Sequence, residues 1–209
     1  MWKQTARGGQ LSKIIPIHFD QVTLTATRPD FWMRTAGIVL AGSALVAVCA
    51  HIALPLYFTP VPLSLAPFAV LVLGLLLTPR LAAATLSAYL AEGAAGLPVF
   101  TPSPLTPGGL AHLLGPTGGY LLAYPFAAAL ISFLWRRSGR GFGLALVSAG
   151  AGNLAILACG ALWLAALTHL SAFTAVSVAV LPFLPGDALK VVAAAALAAG
   201  FQRLRRHAD

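Results

Sequence analysis

The sequence predicts an all-α integral membrane protein with six transmembrane helices and both termini in the cytoplasm. Three observations carry that prediction: an apolar composition, six long apolar segments, and basic residues confined to alternate connections. Of 209 residues, 59% are hydrophobic and 9% charged, with a mean hydropathy of +0.87. Soluble domains carry about 25% charged residues, so a water-exposed surface cannot be built from this chain. The formal charge is +8, but the basic residues punctuate apolar runs. They read as a topology signal, and nucleic acid is not an expected partner.

Residues 1–34 carry Lys3, Arg7, Lys13, Asp20, Arg28, Asp30 and Arg34 and lack the apolar core of a cleavable signal. They are expected to form a cytoplasmic tail ahead of an uncleaved first helix. Residues 35–203 form the membrane domain and residues 204–209 a short cytoplasmic tail. The apolar segments are Thr35–Leu54, Leu63–Leu77, Leu81–Leu97, Gly118–Trp135, Phe142–His169 and Phe183–Phe201. Some are shorter than the ~20 residues that cross a bilayer without tilt. Only Thr78-Pro79-Arg80 separates the second segment from the third, so these two are expected to pair antiparallel. Ser171–Leu181, apolar but rich in Val, Thr and Ser and closed by Pro182, fits an interfacial or re-entrant connection better than a seventh crossing.

Orientation follows from the cations. Lys and Arg occupy the N-terminal tail, the second connection (Arg80), the fourth (Arg136, Arg137, Arg140) and the C-terminal tail (Arg203, Arg205, Arg206), and the other three connections have none. Every second connection is basic, which places both termini inside a bacterial-type cytoplasmic membrane.

The few charges within the apolar span are the candidate site. Asp187 and Lys190 lie three positions apart near the head of the last helix, on one face. An ionisable group at membrane depth costs at least about 2.5–3.5 kcal/mol and faces a partner or a lined cavity. Counted from Arg203, Asp187 sits about 24 Å up its helix, and Glu92 sits about 18 Å above Arg80, so all three belong to the outer half of the membrane. The competing structural reading makes Asp187, after Pro185-Gly186, the N-cap of its helix with Lys190 paired to it. Glu92 would then be a protonated or Lys-paired packing residue. Tyr89, Phe100, Tyr120, Tyr124 and Trp163 either line a pocket or form interfacial belts, the commoner fate of membrane aromatics.

Other chemistry is absent. Cys49 and Cys159 are far apart with no metal-ligand spacing and read as packing residues. His51, His112 and His169 fall near external helix ends, where interfacial placement is expected rather than ligation, so no metal is expected. None of Lys3, Lys13 and Lys190 lies in a Gly-x-x-x-x-Gly-Lys-Ser/Thr phosphate loop, and no catalytic constellation is present. The chain is not expected to be an enzyme. In the first segment Gly37/Ala41 and Ser43/Ala47 repeat small residues at four-residue intervals, which permits close helix approach within the chain or against a partner.

Three stretches, Tyr89-Leu90-Ala91-Glu92-Gly93-Ala94-Ala95-Gly96-Leu97-Pro98-Val99-Phe100, Leu114-Gly115-Pro116-Thr117-Gly118-Gly119-Tyr120-Leu121 and Pro182-Phe183-Leu184-Pro185-Gly186-Asp187-Ala188-Leu189-Lys190, closely resemble the signatures of the BioY family. That family comprises the biotin-binding S components of energy-coupling factor (ECF) transporters, and the resemblance runs from about Thr35 to the C-terminus. It implies high-affinity capture and uptake of biotin, with no cofactor, by a protein embedded in the lipid bilayer. It also implies a substrate site containing Asp187 and Lys190, with Glu92, Ser64 and Tyr89 as further ligand-facing positions. Where the family commonly has glutamine after Val-Pro-x-Thr-Leu, this chain has Ala66, so a polar contact there is lost. A membrane coupling subunit and two ATPase subunits would supply the energy, with Gly37 and Ala41 facing the coupling subunit. Some members act without dedicated partners, for which a homo-oligomer is the alternative assembly. The rival to this reading is a proton-coupled secondary carrier or intramembrane enzyme that uses Glu92 and Asp187 as a relay.

Overall fold

A computed structural model describes residues 29–103, 108–137 and 141–208 of the chain. The described residues are helical apart from one two-residue ladder and the connecting turns. In order they form α1 (Pro29–His51), β1 (Ala53–Leu54), β2 (Leu63–Ser64), α2 (Ala66–Leu76), α3 (Pro79–Ala94), α4 (Leu110–Leu114), α5 (Gly118–Arg137), α6 (Phe142–Thr168), α7 (Ala172–Ala179) and α8 (Leu184–Ala208). Each of the six apolar segments is a helix. The first starts at Pro29 rather than Thr35, taking in the end of the expected tail, while residues 1–28 and Arg140 lie outside the described residues.

Four of these helices, within α1, α5, α6 and α8, are long and apolar enough to cross a membrane. α2 and α3 are shorter, for local reasons. The antiparallel β1–β2 ladder pairs Ala53 with Ser64 and Leu54 with Leu63, which takes the first residues of the second segment out of the helix. Thr78 caps α3, its hydroxyl accepting the Leu81 N–H at 3.4 Å. At the other end the third segment leaves the helix after Ala94, and the chain turns through Gly96 at φ +95°, a conformation that favours glycine. The expected α2–α3 pair is only a minor contact. α2 lies mainly against α5, α8 and α1, and α3 against α5 and α1. A short turn fixes chain direction, and the larger apolar faces then choose other partners.

The outside of this bundle is its apolar side. Phe126 is 79% exposed, and Leu162 and Leu189 are each 72% exposed, whereas Ser43, Ser132, Ser148, Asn153, Asp187 and Lys190 are buried. Such an arrangement suits a hydrocarbon solvent, in which interhelical contacts rely on small residues and polar groups. α5 and α6 approach most closely through glycines. A Cβ at Gly152 would strike Ile131, one at Gly160 the Tyr120 ring, and one at Gly119 Trp163. Ser171 caps α7 by accepting from the Thr174 N–H, and this eight-residue helix connects α6 to α8.

Candidate functional site

The third signature begins as a tight turn and becomes the first turns of α8. Asp187 is not its N-cap: its own N–H already donates to the Phe183 carbonyl at 2.8 Å, inside the helical ladder. The carboxylate is therefore free for side chains. Lys190 Nζ donates to Asp187 Oδ1 at 2.9 Å, and Asn153 Nδ2, from α6, donates to Asp187 Oδ2 at 3.2 Å. Asp187 and Lys190 are 4% and 8% exposed. Each charge thus meets its opposite, and the carboxylate gains a neutral donor, which is what burial of an ion pair demands. Asn153 escaped the sequence reading because that reading tracked charge. An amide inside an apolar helix is the signal that would have found it.

Asp187 and Lys190 form one wall of a cavity. β2 supplies Ser64 and the turn before it Val61, α5 supplies Tyr120 and Tyr124, and α6 supplies Ile156. A water-sized sphere can move its centre through about 50 Å³ of it, well below the 300–1,000 Å³ of small-molecule sites. Loops and side chains must part before a ligand of that size enters.

The first signature is a packing module beside this cavity, not part of its surface. Phe100 folds back over Gly93, where a Cβ would overlap its ring. Tyr89 is fully buried, its hydroxyl donating to the Val99 carbonyl at 3.2 Å. Its ring lies 5.4 Å from Phe100, edge to face, and 6.5 Å from Tyr124, stacked. Tyr89 therefore supports the Tyr124 wall from behind. Glu92 is also set apart from Asp187: Ser43 Oγ of α1 donates to its Oε1 at 2.9 Å, and it does not line the cavity. A shared depth along two helices does not make a shared pocket, because helical phase points Glu92 at α1. Ser64, by contrast, does line the cavity. Gly37 and Ala41 are exposed, and among the described residues nothing lies within 4 Å of a Cβ at Gly37.

Instead of forming a belt, the aromatic set turns inward. The Tyr120 hydroxyl donates to the Ala179 carbonyl at 2.6 Å, tying α5 to α7, and its ring lies 6.3 Å from Phe183. Trp163 Nε1 donates to the Gly115 carbonyl at 2.9 Å, so the second signature is pinned across α6. His112 is 3% exposed and stacks on Phe100 at 5.2 Å, against the expectation of an interfacial histidine. No group of three or more potential metal ligands occurs among the described residues.

Burial lowers the pKa of His112, in the connecting helix α4, from its ordinary 6.5. A histidine whose folded pKa is depressed binds fewer protons folded than unfolded, so stability rises with pH through the window below about 6.5. The melting temperature is expected to fall between about pH 7.5 and about pH 5.5, with a smaller fall in His112→Gln. Parallel melting curves for the two proteins would refute a buried neutral His112.

Comparison with known proteins gives a consistent picture. Residues 20–207 match the model of the BioY family. A probable biotin transporter BioY of Pyrococcus horikoshii is 38% identical over 169 residues, covering 81% of this chain and 96% of that protein. The biotin transporter BioY of Thermotoga maritima is 35% identical over 162 residues, covering 78% and 92%. Among solved structures, the S-component for biotin from an ECF-type ABC transporter superposes with a TM-score of 0.75 at 28% identity, covering 85% of this chain and 95% of the other.

Proposed function

The chain belongs to the BioY family, and on that premise we propose that it captures biotin at the outer side of a membrane as the substrate-binding component of an ECF-type transporter. It is a biotin-uptake protein and not an enzyme. The observation that carries the site assignment is the buried Asp187–Lys190 pair, joined by Asn153, on the wall of an aromatic-lined cavity. Biotin offers a cyclic urea with two N–H donors and a carbonyl, a thioether ring for apolar walls, and a carboxylate tail. A site with an acid, an ammonium and aromatic rings suits all three. Ser64 is a further polar group lining that cavity, while Tyr89 and Glu92 act from outside it.

The packing supports six crossings with both termini inside. Arg136 Nε donates to the Leu77 carbonyl at 3.4 Å and to Ser132 Oγ at 3.2 Å, bringing two of the basic connections to one end of the bundle. The cavity and its loops occupy the opposite end. α2 and α3 cross as short helices sheltered by their neighbours.

The chain has no phosphate loop, so energy from ATP would come from partner subunits. A coupling subunit and two ATPase subunits are the partners proposed, and the exposed Gly37–Ala41 strip of α1 is a face on which a helix of the coupling subunit would pack closely. The relay alternative loses its basis, since Glu92 and Asp187 bond to different partners, Ser43 and the Lys190–Asn153 pair.

Reconstitution into proteoliposomes with and without ECF coupling and ATPase subunits tests this reading. Labelled biotin is expected to bind the chain alone, while concentrative uptake requires the added subunits and ATP. Uptake driven by a pH gradient with the chain alone would replace the reading with the secondary-carrier one.

A further inference from the structure

The tip between β1 and β2 carries the most exposed large apolar side chain among the described residues. Tyr57 is fully exposed there, and Phe58 beside it is 65% exposed. Loop tips that face water are ordinarily small and polar, whereas this one reads Pro55-Leu56-Tyr57-Phe58-Thr59-Pro60. No Lys, Arg, Asp or Glu occurs anywhere between Arg34 and Arg80. An exposed apolar patch of this kind marks a contact with something other than water.

The patch continues the lipid-facing surface of α1. Leu40 and Val48 are exposed on that helix, and Ile52 and Leu54 are exposed just beyond it. His51 is the polar residue between them, and its Nδ1 lies 2.8 Å from the Ala47 carbonyl oxygen. The apolar stretch of α1, Trp32–His51, has 20 residues, or about 30 Å at helical rise, which matches the hydrocarbon core. The hairpin therefore begins where the core ends. Two-residue strands rise about 7 Å, and the headgroup layer extends about 5–8 Å beyond the core on each side, so the tip falls in that layer.

The backbone of the tip suits the same depth. Pro55, Pro60 and Pro62 have no N–H to leave unpaired. The Thr59 N–H donates to the Leu56 carbonyl at 3.5 Å, and the Val61 N–H donates to the Thr59 hydroxyl at 3.3 Å. Tyrosine, with an apolar ring and a polar hydroxyl, is a residue that membrane interfaces favour.

What holds the tip also holds a wall of the cavity. Val61, Pro62, Leu63 and Ser64 follow the tip directly and line it. The Leu65 N–H donates to the Ile52 carbonyl at 3.0 Å, closing the base of the hairpin. Leu63 rests on the head of α8, where a Cβ at Gly186 would lie 3.6 Å from its side chain.

We propose that Tyr57 and Phe58 seat in the phospholipid headgroup layer of the adjacent leaflet, and that this lipid contact holds the β1–β2 hairpin against the cavity. The occupant is the lipid surface because the patch is uncharged, apolar and continuous with the membrane-facing side of α1. Only the ligand-release readout below rests on the biotin reading.

A nitroxide at Phe58→Cys, in the full chain with Cys49 and Cys159 replaced by alanine and reconstituted in phospholipid nanodiscs, tests the contact. Collisions with oxygen are expected to exceed those with a water-soluble nickel chelate, at a depth shallower than a label at Phe126→Cys in α5. A nickel-dominated label would place the tip in water and overturn the proposal. A label shielded from both reagents would put a second copy of the chain on the tip, with the same consequence. Tyr57→Ser combined with Phe58→Ser is expected to speed release of labelled biotin from nanodiscs about fivefold, and tryptophan at both positions to keep it within about twofold of the unaltered chain. The melting temperature of the serine variant is expected to hold, since both side chains are exposed. Unchanged release in the serine variant would overturn the link between anchor and cavity. A chain that holds no biotin would overturn the biotin reading, while the nitroxide still decides the lipid contact.

Discussion

Replacing Lys190 with alanine is expected to destabilise the protein by about 3–5 kcal/mol, because it leaves the Asp187 carboxylate buried with no countercharge. Only the Asn153 amide would remain as a donor to that carboxylate. Asp187→Asn reverses the problem, leaving an ammonium at 8% exposure beside two amides. Either variant is expected to weaken biotin by at least about tenfold, or about 1.4 kcal/mol. The paired variant Asp187→Asn with Lys190→Met is expected to recover stability without recovering binding, since it removes both charges together. Thermal unfolding and calorimetry on the three proteins separate these effects. Unchanged affinity in both single variants would sink the site assignment, and a paired variant no more stable than Lys190→Ala would show that the two charges do not depend on each other.

Gly119→Leu is expected to be the most damaging change outside the cavity. A Cβ at that position would overlap the Trp163 side chain and lie 2.7 Å from the Cys159 carbonyl oxygen, and neither the backbone nor a tryptophan locked to Gly115 can retreat. Overpacking costs about 1–3 kcal/mol where side chains can shift, and here the obstacle includes main chain, so the upper end is expected. Gly150→Ala is the matched control. Gly150 lies in α6 with nothing within 4 Å of its Cβ, so alanine there is expected to be neutral or to stabilise by up to about 1 kcal/mol. A melting temperature lowered equally by both would mean that helix propensity, not the α5–α6 approach, sets the cost.

The all-helical class and the helical state of the six apolar segments were legible because they depend on one-dimensional properties: the length of an apolar run and the breakers between runs. α7 was legible for the same reason as a short apolar stretch, rich in β-branched residues, between two longer ones. Asp187 and Lys190 announced themselves through the cost of charge in an apolar helix, and three residues of separation sufficed to pair them. Glu92 announced itself equally well and was misplaced, since its helix could present it to α1 or to the cavity and only packing decides which. Ser64, Tyr89 and the aromatic set were named on resemblance or on residue type, which cannot tell a wall from the layer behind it.

Residue chemistry and spacing along the chain thus determined that this is a helical membrane protein with a buried ion pair at the head of its last helix. Tertiary structure alone decided that Asp187 bonds Asn153 rather than capping its helix, that Glu92 answers Ser43, that Tyr89 stands behind Tyr124, and that the Thr117 hydroxyl is left unpaired at the cavity. The physical reason is that hydropathy and charge are properties of single residues, summed along a chain. Which polar atom meets which depends on the phase and crossing of helices more than thirty positions apart, set by glycines such as Gly119 and Gly152 whose role appears only when another helix lies against them.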